Sequence, residues 1–115
     1  MRNYKQLKIW QKRFEIAISS FDLVKLFPTE EKYGLSSEIT RAAVSIPSNI
    51  AEGSSRSSSK DYNRFIEIAL GSAFELECQI LIAKAAKYGD AAKADKILSD
   101  IDEEQKMLMS FMSKL

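Results

Sequence analysis

The stretch Ser45–Tyr62, SIPSNIAEGSSRSSSKDY, decides how the chain folds. Around its start, apolar residues recur at threes and fours: Ile39, Ala42, Ala43, Ile46 and Ile50. That spacing marks one side of a helix. Pro47 falls inside it. Proline has no N–H, so the Ala43 carbonyl loses its helical partner, and the ring crowds it, at ~3 kcal/mol or more in a helix interior. The periodicity runs through regardless, which predicts a helix that keeps its proline and bends there. Ser45 and Asn49 flank the bend and carry groups able to serve freed backbone atoms. With Glu52 they form the expected structural polar network, and Arg41 falls on the same face. Gly53 suits the residue just past a helix end, and with Ala51 it allows a neighbouring helix to come close. The serine run is then a connection. Ser58, with Asp61 three residues on, resembles the capping box that opens a following helix.

Outward from this stretch, Ser36 or Ser37 serves as the cap of the proline-bearing helix, with Glu38 in its first turn, where the helix dipole favours a carboxylate. Upstream, Leu7, Trp10, Phe14, Ala17, Phe21 and Val24 alternate by threes and fours up to Pro28, the seam of a bundle helix. Thr29–Glu31 suits a single further turn closed by Gly34. Downstream, Tyr62, Ile66, Ala69, Ala73, Leu76, Ile80 and Ala83 form a third seam, broken at Gly89-Asp90. Ala94, Leu98, Ile101, Gln105, Leu108 and Met112 form a fourth. Four helices with short connections and no strand pattern predict an all-α, antiparallel, up-down-up-down four-helix bundle with a proline-kinked second helix, one domain over residues 1–115. Leu7, Trp10, Phe14, Ile66, Leu76, Ile80, Leu98, Ile101 and Leu108 are the expected core.

Two helices carry a second apolar stripe. Ile9, Ile16 and Leu23 repeat every seven residues, about 130° around the first helix from its seam at ~100° per residue. Phe74, Leu81 and Tyr88 do the same on the third. One core takes one stripe per helix, so these six residues are the expected oligomer interface.

Composition narrows the chemistry. There is no histidine, which excludes a Ser-His-Asp triad, His-based metal sites and the Glu-x-x-His pairs of di-iron bundles. One cysteine, Cys78, cannot hold zinc or close an internal disulfide and suits a reducing cytoplasm. No cofactor or metal is expected, and no enzyme activity: a carboxylate pair such as Glu52 and Glu75 has no motif around it. Charge interrupts every apolar run, so no membrane-spanning helix is expected. The basic residues Arg2, Lys5 and Lys8 near the start precede no apolar segment of the secretory kind.

Net charge is +1, but residues 1–27 hold six basic and two acidic residues, while residues 89–115 sum to −2. Oppositely charged helices suit neighbouring places in one bundle. Arg56, Lys60 and Arg64 surround the start of the third helix, where free amides favour anions. No G-x-x-x-x-G-K-[ST] motif and no preceding strand accompany them, which excludes a P-loop. With Arg41 they are the candidate contacts to RNA or DNA phosphates.

The segments LKIWQK (7–12), FPTEEKYGLSSEITRAAVSIPSNIAEGSSR (27–56) and FIEIALGSAFELECQI (65–80) resemble the bacterial four-helix-bundle family of proteins encoded in intervening sequences of large-subunit ribosomal RNA genes. SIPSNIAEG is the most specific element, and the resemblance runs from about Leu7 to Tyr88. It implies an antiparallel four-helix bundle assembled as a ring-shaped homopentamer. A related branch comprises the accessory proteins of diversity-generating retroelements, basic pentamers that work with a reverse transcriptase and nucleic acid. The resemblance thus implies a self-assembling scaffold near RNA or DNA, with no established activity for most of the family.

Overall fold

The computed structural model describes residues 3–115; Arg2, counted with the basic residues near the start, lies outside it. Four helices follow in order, α1 Lys8–Val24, α2 Leu35–Ser54, α3 Ser59–Ala85 and α4 Ala91–Ser113, with short 3-10 turns at Tyr4–Gln6 and Thr29–Glu31. The bundle measures 43 × 24 × 20 Å.

Local chemistry sets the helix ends. α2 begins a residue or two before the expected serine caps, because Glu31 does the capping: its Oε1 accepts from the Leu35 N–H at 3.1 Å. The Ser58 hydroxyl accepts from the Asp61 N–H at 3.1 Å and opens α3. At the other end of α3, Lys87 takes the left-handed conformation at φ 63°. The Tyr88 N–H then reaches the Ala83 carbonyl at 2.9 Å and the Lys87 N–H the Lys84 carbonyl at 3.0 Å, which is the Schellman arrangement. Asp90 Oδ1 accepts from the Ala92 N–H at 2.8 Å and starts α4.

Cross-helix pairs give the directions. Arg13 and Asp22 of α1 face Glu104 and Lys93 of α4, in reverse order along the chain. Ser45 of α2 meets Ser72 of α3, while Gly53 meets Tyr62 and Phe65. The Tyr62 ring lies 5.5 Å from that of Phe111, and Lys84 pairs with Asp95. Each pair of helices so linked is antiparallel.

The seams of α2 and α3 are buried as expected, from Ile39 to Ile50 and from Tyr62 to Ala83. That of α1 is not. Ile9, Ile16 and Leu23, expected at a subunit interface, are the core residues of α1, whereas Phe14 and Phe21 of the expected seam are 47% and 46% exposed. Leu7, Trp10 and Val24 are only partly covered. The reason is in the intervening positions: the buried side runs Ile9, Arg13, Ile16, Ser20, Leu23, also by threes and fours, but two of its members are polar. A count of apolar residues passes over such a stripe. α4 shows the same rotation mildly, with Ile97, Ile101, Glu104, Gln105 and Leu108 inside and Leu98 and Met112 partly exposed.

Gly53 is a helical residue and not a terminator. A Cβ there would lie 2.8 Å from Phe65 Cβ, so the glycine lets α2 and α3 touch backbone to side chain.

Candidate functional site

Pro47 sits inside α2 and is buried. Two residues on, Asn49 Nδ2 donates to the Ser45 carbonyl at 2.7 Å and to Ser45 Oγ at 3.0 Å. Ser45 Oγ is in turn 2.9 Å from Ser72 Oγ of α3. This chain of short polar side chains ties α2 to α3 beside the proline. Glu52 stays outside it. Its carboxylate points to solvent, 3.5 Å from the Arg56 guanidinium one turn later, where an exposed ion pair needs no burial of either charge.

The four candidate phosphate contacts do not form one patch. Arg41 is exposed near the middle of α2, about 20 Å along the axis from Arg56 at ~1.5 Å per residue. It rims a hollow of about 340 Å³ with Glu38, Ser45, Ser72 and Glu75. Arg56, Lys60 and Arg64 do cluster at the α2–α3 corner, all exposed, but Arg56 also lies 4.7 Å above the Phe65 ring. Glu52 lines an adjoining hollow with Phe21, Thr40 and Asn49, and Glu75 accepts from Gln79 Nε2 at 3.2 Å. The two carboxylates thus open into different hollows, which is no arrangement for acid–base catalysis on one substrate. Among the described residues no group of His, Cys, Asp and Glu could hold a metal ion, and no helix is long and apolar enough to cross a membrane.

Two faces each gather several exposed apolar side chains. Between α1 and α2, Trp10, Phe14, Ile18, Phe21, Val44 and Pro47 line a groove of about 330 Å³. The Trp10 ring stands 5.2 Å from both Tyr4 and Phe14, which gives the groove an aromatic floor. On α3, Phe74, Leu81 and Ile82 are about half exposed, with the exposed Cys78 between them. Phe74 and Leu81 are therefore open to solvent. Tyr88 is less so: it packs 5.8 Å from Phe27 and donates its hydroxyl to Glu31 at 3.3 Å, closing one end of the bundle. That carboxylate, more than burial, holds the Tyr88 phenol above its ordinary pKa.

Sequence reasoning missed an ion pair in the core. Arg13 Nε lies 3.8 Å from Glu104 Oε2, with the side chains 0% and 1% exposed. None of the three guanidinium nitrogens and neither carboxylate oxygen has a hydrogen-bond partner within the protein. Burial lowers the arginine to about 10 against the pull of Glu104, and burial raises Glu104 to about 7 against the pull of Arg13 and Lys12. The available signal was the period: positions 9, 13, 16, 20 and 23 continue a seam only if an arginine is accepted within it.

A family model for the 23S rRNA-intervening sequence protein matches residues 5–110. The chain belongs to this family. Among solved structures it is similar to a protein of unknown function from the S23 ribosomal protein family of Bacteroides thetaiotaomicron, with 28% identity over 90% of this chain and 97% of that one and a TM-score of 0.82. No protein of curated function matches. The family membership and the four-helix fold thus agree with the resemblance carried by SIPSNIAEG, and both findings concern proteins whose function is unknown.

Proposed function

We propose that this intervening-sequence protein is a non-enzymatic, self-assembling scaffold that works beside RNA or DNA in the cytoplasm. The observation that carries the reading is the pair of exposed apolar faces on a bundle whose core is already filled. The α1–α2 groove and the α3 ridge lie on different helices, so a contact between them is head-to-tail and closes into a ring when the rotation suits. Arg41 rims the groove side, and Glu67 is exposed on α3 two turns before Phe74, so a charge of opposite sign borders each face. Five as the subunit number rests on the family resemblance alone. Native mass spectrometry tests the reading: Phe14→Glu and Phe74→Glu should each shrink the assembly while helix content stays. A wild-type protein that is monomeric at micromolar concentration overturns it.

A second reading has a specific observation behind it. Lys60 and Arg64 are exposed one turn apart beside Arg56 at the corner that opens α3, and a ring would repeat that cluster in every subunit. In this reading Arg41, Arg56, Lys60 and Arg64 contact phosphates of a bound nucleic acid. Phosphate contacts release counterions, so affinity falls steeply with salt. Replacing Arg56, Lys60 and Arg64 with Ala should weaken binding and flatten the salt slope, and absence of binding by the parent protein at low salt ends this reading.

A further inference from the structure

Among the described residues, three cross-helix ion pairs involve α4: Arg13–Glu104, Asp22–Lys93 and Lys84–Asp95. The last two lie at the surface near the start of α4; the first is sealed inside, farther along. A buried pair holds well only when hydrogen bonds satisfy its remaining donors and acceptors. Here all three nitrogens of Arg13 and both oxygens of Glu104 lack such bonds. The pair therefore fastens α4 at the point where fastening is least favourable, while Ile97, Ile101 and Leu108 supply the apolar hold.

We infer that Arg13 and Glu104 form a proton-operated latch, which sets how often α4 lifts from the seam between α1 and α3. With the carboxyl protonated, only one charge is enclosed and α4 stays down. With it ionised, both charges are enclosed without hydrogen bonds, and lifting α4 returns them to water. The charged neighbours leave this balance standing. From α1, Arg13 and Lys12 favour the carboxylate; on α4 itself Glu103 and Asp100 oppose it; burial outweighs all of them. From α3, Tyr62 packs next to Phe111, Lys84 is held by Asp95, and the half-buried Glu77 lies two turns before Lys84 on the same side. A carboxyl raised in the closed state steadies that state fully below its ordinary range, and the effect is lost as pH rises through about 7. Higher pH loosens α4.

Hydrogen exchange of the full chain, corrected for intrinsic rates, reads the opening directly. Between pH 6 and pH 8 the opening of α4 should rise about tenfold in the wild type, the factor expected for a closed-state carboxyl near 7 and an open-state one in its ordinary range. α2 and α3 should change far less. Glu104→Gln keeps the shape and removes the titration, so its α4 exchange should be flat with pH. Should that variant fail to fold, the carboxyl carbon resonance of Glu104 in the wild type decides: a midpoint near neutrality supports the latch, and one below pH 5.5 overturns it. Equal pH dependence across all four helices, or the same α4 slope in Glu104→Gln, also overturns it.

Discussion

The α2–α3 contact and the α1–α4 contact solve one packing problem by opposite means. Between α2 and α3 the helices close up until Gly53 meets Tyr62 and Phe65, and the polar link is a neutral serine pair at 2.9 Å. Between α1 and α4 the central residues are an arginine and a glutamate at 3.8 Å. The first contact gains from dispersion and leaves few polar atoms to satisfy. The second encloses two charges whose desolvation outweighs their attraction, as the lowered arginine and raised glutamate both record. The difference teaches that this bundle is built from a firm α2–α3 hairpin and a more conditional α4.

The largest effect expected follows from breaking the ionic contact on one side. Arg13→Met leaves Glu104 enclosed without the attraction of Arg13, and at pH 8 it should be less stable than a variant with neither charge by ~3–5 kcal/mol. The double variant Arg13→Met/Glu104→Met replaces the pair with apolar side chains and should recover that loss or exceed wild-type stability. Urea titrations of the four proteins complete the cycle. A double variant less stable than the wild type would mean that the pair is a net support, and the contrast between the two contacts would fall.

The firm contact is broken from the other direction, by adding bulk. Gly53→Val places a branched side chain where even a Cβ would sit 2.8 Å from Phe65 Cβ. It should destabilise by ~2–3 kcal/mol, measured as a lowered denaturation midpoint. An unchanged midpoint would show that α2 and α3 separate easily.

These two contacts also show how much of the molecule was legible in the sequence. α2 and α3 match their expected seams because these are almost entirely apolar, with only the polar Ser54 and Gln79 buried beside them: Ile66, Leu76 and Ile80 are core residues as expected, and Ser58 caps α3 as expected. α1 was read with the wrong side inward. Both of its stripes keep the helical period, and the one with more aromatic surface was chosen, through Trp10, Phe14 and Phe21. Arg13 and Ser20 disqualified the true seam by composition, although a glutamate on another helix and the Ile16 carbonyl, which accepts from Ser20 Oγ at 2.8 Å, serve them there. Such partners are distant in sequence or internal to the backbone, so periodicity alone does not reveal them. The site was legible in kind but not in detail. Ser45 and Asn49 do join in a polar chain, but the Asn49 amide serves the Ser45 carbonyl and not the Ala43 carbonyl that Pro47 frees. Glu52 instead pairs with Arg56 four residues on, and Tyr88 packs on Phe27 and bonds Glu31.

A smaller effect sharpens the role of the polar chain beside Pro47. Asn49 is half-buried, and its amide bonds to a carbonyl and a hydroxyl of the same helix. Its removal leaves Ser45 Oγ still in contact with Ser72, so Asn49→Ala should cost only ~1 kcal/mol. Loss of ~3 kcal/mol or more would place the polar chain, and not the Gly53 contact, at the centre of the α2–α3 hairpin.

The smallest effect expected lies at the joint from which α4 hangs. Lys87 holds φ at 63° and Gly89 at 74°, but the two positions differ in what surrounds them. A Cβ at Gly89 would stand 2.9 Å from the Phe27 ring and 3.3 Å from the Leu23 carbonyl, so a glycine is required there on grounds of space as well as conformation. Lys87 already carries a side chain and is exposed. It adopts the left-handed shape because the backbone bonds from residues 87 and 88 to the end of α3 demand it. A residue with a Cβ is disfavoured in that shape by ~1 kcal/mol relative to glycine. Glycine in turn loses more freedom on folding, which offsets part of the gain. Lys87→Gly should therefore stabilise the fold by ~0.5–1 kcal/mol, seen as a raised urea midpoint with an unchanged slope, while α4 exchange keeps its pH dependence because the latch is untouched. A lowered midpoint would show that Lys87 makes a contact worth more than its backbone strain, and that the joint helps to hold α4 down.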